Sequence, residues 1–395
     1  MPVRHPLAFD LNSGDNGFIL LDMPWRRLGW GLPLAVSLLL PSGGCGAPNV
    51  SADDGGVMVP DAGPVDAADV QASDGGEGGA EAGPDLCMTL GDVRSCMSAN
   101  GAMGSQTCIS TSSGNVWGQC YSLTCEGATP MLHETCVPAG TFNMGGLMGE
   151  TDTSPARVVT IRRRFYIDQF EVSWGQFRTW WGMQPRPLPA DGATAYIGGN
   201  GDKVVWRLGN GVPAPGTDLG SGCMAGLKNA QDDYAMNCVA WETALAYCMA
   251  EGKRLPTEAE WEYVATGVGA GNDFPWGNMP MPDCTHAIFN QCTWPQTLGS
   301  DTAGNTQTNI NAMSGDVAEW TLDTYPPLCT AHNDCWPSST TDPVQVMDTM
   351  QVYSVRGGSW NEGQSFLYSR ARDYEQDSMY GTAGTVGFRC VRDER

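Results

Sequence analysis

Cysteine is the residue type with the most chemistry to offer in this 395-residue chain, and there are fifteen. A thiolate can attack, hold a soft metal or be oxidised to a disulfide, and spacing separates these uses. No Cys-x-x-Cys occurs, which speaks against zinc. Cys87, Cys96, Cys108, Cys120, Cys125 and Cys136 fall among Gly and Ser with few aliphatics. A core this small rarely stands alone, so the pattern predicts a mini-domain over 87–136 stapled by disulfides, with connectivity left open. Histidine offers no alternative ligand set: His133, His286 and His332 are widely separated.

Cys45 is the odd one out. Met23-Pro-Trp-Arg-Arg is a basic start, Leu28 to Leu40 is apolar, and small residues lead to the cysteine. Residues 1–45 therefore read as a signal region whose true start is Met23, too short to span a bilayer. The run into Cys45 looks like a bacterial lipoprotein site, predicting lipidation there and a membrane contact through the anchor alone. Cleavage after Ala47 and simple secretion is the alternative. Removing Cys45 leaves an even set of cysteines, as an oxidising compartment favours. Residues 46–86 carry nine acids, no base and no aromatic residue, so they read as a disordered tether.

That tether also explains much of the formal net charge of −23. From Val137 onward there are 29 Asp and Glu against 17 Lys and Arg. The folded part has no basic stripe for phosphates, which argues against nucleic acid as a partner.

The elements that must position any site are short. Arg157-Val-Val-Thr-Ile161 alternates as a strand does, and Phe165 to Phe170 continues the extended chain. Ser173-Trp-Gly-Gln176 has capping-box spacing and predicts a helix carrying Phe177 and Trp180. Trp241, Ala244, Leu245 and Cys248 share one helical face, ending at Gly252. Thr257-x-x-Glu260 opens a second helix that buries Trp261 and Val264. Such helices in a Gly-rich chain predict an irregular α+β domain over 137–395.

Seven ordered blocks give that domain a family. Val137 to Gly145, Phe165 to Ser173, Gly252 to Tyr263, Phe274-Pro-Trp-Gly-Asn278, Gly315 to Thr321, Arg356-Gly-Gly-Ser-Trp360 and Gly387-Phe-Arg-Cys390 together resemble the formylglycine-generating enzyme, or sulfatase-modifying factor, family. The resemblance implies a C-type lectin-like relative, low in regular structure, with calcium and disulfides. Family enzymes oxidise a sulfatase cysteine to formylglycine, using oxygen and copper held by two cysteines shortly after the Gly-Gly-Ser block.

Here the chain departs from the family. No cysteine lies between Cys335 and Cys390, so the soft donors suited to Cu(I) are missing and no copper is expected. Ser359 matches the active-site serine, but reads as a turn residue without a thiol or base. No catalytic residue is assigned.

The resemblance further implies a Cys248–Cys390 disulfide. Local pairs Cys223–Cys238, Cys284–Cys292 and Cys329–Cys335 would use the remaining domain cysteines. It also implies a calcium site at Ser314, Gly315, Val317 and Glu319, since a hard cation takes carbonyl and carboxylate oxygens.

With the oxidase site lost, the expected role is an exported, non-oxidase ligand-binding module, its partner a glycan or a peptide. Ser359, Trp360, Glu362, Tyr368, Arg370, Arg372 and Asp373 are the expected groove residues, the aromatics for stacking and the charges for orientation. The alternatives are the family oxidase, or another enzyme using Glu362 and Asp373.

Overall fold

The computed structural model describes four strands between 93 and 122, and residues 124–394 apart from 148–152, 210–211, 218–221, 228–231, 291, 293–295, 301, 327–334, 348–351 and 377–383. The signal region with Cys45, the linker, Cys329 and His332 lie outside the described residues.

The Cys-rich segment forms a small antiparallel sheet. Its strands are β1 (Val93–Met97), β2 (Met103–Thr111), β3 (Gly114–Trp117) and β4 (Tyr121–Ser122), with β1, β3 and β4 all pairing β2. Cys96 is disulfide-bonded. The boundary expected at residue 137 is corrected. β5 (Glu134–Val137) pairs antiparallel with β8 (Phe165–Asp168), which also carries the C-terminal strand β15 (Val391–Asp393). Cys136 on β5 bonds Cys125, and Arg164 donates to the carbonyls of Thr124 and Glu126. Cysteine spacing groups these residues with the mini-domain, whereas backbone pairing binds them to the larger body.

The remaining strands are equally short. β6 (Gly140–Met144) pairs β7 (Arg157–Ile161), and β9 (Thr194–Ile197) pairs β10 (Lys203–Val205). The central sheet runs β13 (Asp373–Gln376), β12 (Val352–Arg356), β11 (Ala318–Thr324), β14 (Val386–Gly387), with only the β11–β14 pair parallel. All seven residues of β11 are buried, as an inner strand covered on both faces requires.

Among the described residues, three α-helices complete the α+β body: α1 (Trp174–Gly182), α2 (Trp241–Ala250) and α3 (Glu258–Ala265). Both capping boxes form. Ser173 Oγ accepts from the Gln176 amide at 3.1 Å, and Thr257 Oγ1 from the Glu260 amide at 3.1 Å, each with the reciprocal bond. After α2, Gly252 takes φ +73°, the left-handed conformation that lets the chain turn away.

α2 packs Ala244, Leu245 and Cys248 into an apolar cluster with Trp180, Trp206 and Phe388. α3 packs Trp261 and Val264 into a second with Phe165 and Ile167. The Cys248–Cys390 disulfide spans 142 residues, and Cys223–Cys238 and Cys284–Cys292 form as expected. Cys335 is disulfide-bonded too.

Candidate functional site

β12 ends in Arg356, and the chain then turns through Gly357 and Gly358, both with positive φ (+95° and +67°). A Cβ on Gly358 would stand 2.9 Å from the Phe366 Cβ, so the turn packs too tightly for any larger residue. Ser359 follows, fully buried, its carbonyl accepting from the Glu362 amide at 3.0 Å. Neither Ser359 Oγ nor Glu362 Oε2 has a hydrogen-bond partner among the described residues, and both atoms are buried. Burial raises the Glu362 carboxyl above its ordinary range; the nearby Ser359 hydroxyl opposes the rise and Asp373 adds to it.

The space behind this turn is small. The cavity lined by Gly357, Gly358, Glu362, Phe366, Arg372 and Asp373 holds about 10 Å³, room for roughly one water. Among the described residues its lining encloses little free volume, less than the groove expected at Glu362, Arg372 and Asp373. Arg372 is the clearest case. It is buried, not turned to solvent as an orienting or surface charge would be, and donates to Glu258 through Nε at 2.5 Å and Nη2 at 2.8 Å. Its guanidinium lies over Trp336 at 4.3 Å and Tyr325 at 5.0 Å.

The neighbouring charge is also structural. Arg356 donates to Glu258 at 2.9 Å, to Glu262 at 2.6 Å and to the Ser369 carbonyl at 3.0 Å. Glu258 and Glu262 stand four apart on α3, so both carboxylates face the same side, where the two arginines enter. Burial alone would raise Glu258, but Arg372 and Arg356 hold it below its ordinary range. Glu262 rises, because burial outweighs Arg356. Asp323 accepts the Glu258 and Gln345 amides, and burial beside the Glu258 charge pushes it up to about 7.

The other expected groove residues have these partners. Trp360 donates its indole N–H to the Gly384 carbonyl at 2.9 Å. Tyr368 packs on Phe274 at 4.7 Å, within a stack continued by Trp276. Arg370 reaches the Gly271 carbonyl and Asp273, and Asp373 opens β13. Asp373 also shares the small cavity with Glu362 and Arg372.

The implied calcium set does not fit either. Both oxygens of the buried Glu319 carboxylate accept from Arg389, at 2.7 Å each, and Oε2 also takes the Trp261 indole N–H at 3.0 Å. A divalent cation at Glu319 would meet that guanidinium directly. The order a metal would supply comes from the chain itself: Gly315 N donates to Gly357 O, Trp360 N to Asp316 O, Asp316 N to Ile288 O, and Ser314 Oγ to Leu367 O. Val317 is buried beside them. Among the described residues no group of three or more His, Cys, Asp or Glu side chains is placed to hold a metal. In the sequence no cysteine follows the Gly-Gly-Ser turn before Cys390, so the segment after it offers no thiol of the kind Cu(I) prefers. The carboxylate pair and its arginines were invisible to sequence reasoning; their one signal is the i, i+4 spacing of Glu258 and Glu262.

Comparison with known proteins decides the family. The sulfatase-modifying factor enzyme 1-like domain matches residues 124–394. The chain belongs to this family. Formylglycine-generating enzyme of Mus musculus is 28% identical over 285 residues, covering 65% of this chain and 74% of that protein. A protein of Bos taurus named inactive C-alpha-formylglycine-generating enzyme 2 is also 28% identical, covering 65% and 86%. The solved structure of PvdO from Pseudomonas aeruginosa aligns with TM-score 0.49 and 18% identity, over 78% of this chain and 100% of that one. Equal identity to an enzyme and to a protein called inactive leaves the activity of this sulfatase-modifying-factor domain to its own residues.

Proposed function

We propose that this chain is a non-oxidase member of the sulfatase-modifying factor family, acting as an exported ligand-binding module. One observation carries the reading. Between Cys335 and Cys390 there is no cysteine, and the turn at Ser359 backs onto space for no more than roughly one water. A copper oxidase needs soft donors and an open substrate approach at that place.

Export is supported by the signal-like segment before Cys45 and by disulfides at Cys125–Cys136, Cys223–Cys238, Cys248–Cys390 and Cys284–Cys292. In this reading Cys45 is lipidated and residues 46–86 tether a C-type lectin-like body. The binding surface is the aromatic rim beside the turn, where Tyr374 is 55% exposed and stacks on Tyr325 at 4.7 Å. Half-buried Trp360 and Phe366 flank the turn. Aromatic faces of this kind hold sugars or peptide side chains.

The test is a glycan and peptide array probed with the purified chain and with Tyr374→Ala. Retained binding in the variant would remove the rim from the account, and conversion of a sulfatase cysteine peptide to the aldehyde would remove the non-oxidase reading.

A further inference from the structure

A second concavity lies elsewhere on the same body. It measures about 450 Å³ and shares no lining residue with the space behind Ser359. That volume is within the range of small-molecule sites, roughly 300–1,000 Å³. Its walls come from the segment between β8 and α1, the C-terminal end of α2, and the loops at Asp232 and Leu298.

The lining combines apolar and acidic side chains. Phe170, edge-on to His133 at 5.7 Å, joins Leu132, Val172 and Leu298 in the apolar part. Among the described residues, five carboxylates, Asp168, Glu171, Asp232, Asp233 and Glu251, line the same cavity, with Lys253 the one Lys or Arg beside them. Lys253 is already committed to Asp168 at 2.5 Å and to Glu134 at 3.1 Å. Asp232 is committed to Arg178.

The least compensated of the five is Glu171, while Asp233 and Glu251, which also line the cavity, are exposed. Glu171 is 1% exposed, and neither carboxylate oxygen has a hydrogen-bond partner among the described residues. Arg389 comes no nearer than 3.9 Å, its Nε and Nη2 already bonded to Glu319. A buried carboxyl without donors carries a desolvation penalty, and a charge-assisted N–H bond is the most direct way to remove it.

We propose that this cavity binds an organic cation, an alkylammonium or alkylguanidinium, with its N–H groups on Glu171 and its stem along Phe170 and Leu298. Burial raises the empty Glu171 carboxyl well above its ordinary range, against the pull of Arg389; a bound cation stabilises the ionised form. The cation could be a free amine or a basic side chain of a peptide, and both present the same chemistry. This inference does not rest on the non-oxidase reading.

The experiment is calorimetric titration of the full chain, without copper or thiol substrate. The probes are 1,5-diaminopentane, agmatine and N-acetyl-lysine amide, with 1-pentanol and pentanoate as uncharged and anionic controls. Saturable binding of at least one cation, at least tenfold tighter than either control, is expected. Preference for the diamine would identify a free amine, and preference for the lysine amide a peptide side chain. Glu171→Gln is expected to weaken binding at least tenfold. Because a buried substitution can impair folding, the exposed double variant Asp233→Asn with Glu251→Gln serves as the second arm, with a several-fold loss expected. Cations that bind no better than pentanol, or with undiminished affinity in the exposed double variant, would overturn the proposal.

Discussion

Arg372 and Glu258 are joined by two parallel hydrogen bonds, Nε to Oε1 at 2.5 Å and Nη2 to Oε2 at 2.8 Å, deep beneath the Gly-Gly-Ser turn. The pair links the segment before β13 to the first turn of α3. Two carboxylates and two arginines there pair with one another, and all four side chains are buried.

Arg372→Ala is expected to destabilise the fold, because it strips a buried carboxylate of its main partner. Breaking such a pair costs about 3–5 kcal/mol. Arg372→Met, which keeps bulk against Trp336, is expected to lose less. Urea denaturation reads both values. A variant that stays fully stable while losing a ligand would restore Arg372 to a binding role.

Asp323 gives the pH dependence a definite sign. Its folded carboxyl titrates at about 7 against an ordinary value of 3.8, so the folded state holds a proton that the unfolded chain has released. That contribution is fully present below about 3.8 and is lost as pH rises toward about 7. Stability measured across that window is expected to fall with pH from this group, and the slope is expected to shrink in Asp323→Asn. An unchanged slope in the variant would assign it to other groups.

The local rules were legible where they depend on neighbours in sequence. Ser173 with Gln176 and Thr257 with Glu260 announce both helix starts, and the apolar spacing from Trp241 to Cys248 announces the buried face of α2. Family resemblance supplied Cys248–Cys390. What the sequence concealed is the fate of its charges. Nothing near Arg372 or Arg389 in the chain marks them as buried, since their partners Glu258 and Glu319 lie 114 and 70 residues away. For the same reason Glu319 read as a metal ligand, and residues 124–136 read as mini-domain although β5 pairs a strand about thirty residues later.

Calcium provides a separate check on Glu319. With its carboxylate held by Arg389 and Trp261, the melting temperature is expected to be the same in excess calcium and in chelator. Glu319→Gln is expected to be destabilised in both, since Arg389 loses its ionised partner. A rise in melting temperature on adding calcium, abolished by the variant, would reinstate the metal.

Among the described disulfides, Cys248–Cys390 closes the longest loop. Replacing Cys248 and Cys390 together by Ala is expected to cost about 2–5 kcal/mol, the range for closing a large loop. Guanidinium denaturation of the double variant measures it. A loss well under that range would mean that packing of Phe388 and Val391 already holds the C-terminal segment.

The most direct test of the central claim is Cu(I) competition with a chromophoric chelator, followed by mass spectrometry of a sulfatase-derived cysteine peptide incubated with the copper-exposed chain in oxygen. The account predicts no stoichiometric, tight copper uptake and an intact peptide thiol. One tightly held equivalent of copper together with an aldehyde-bearing peptide would contradict it.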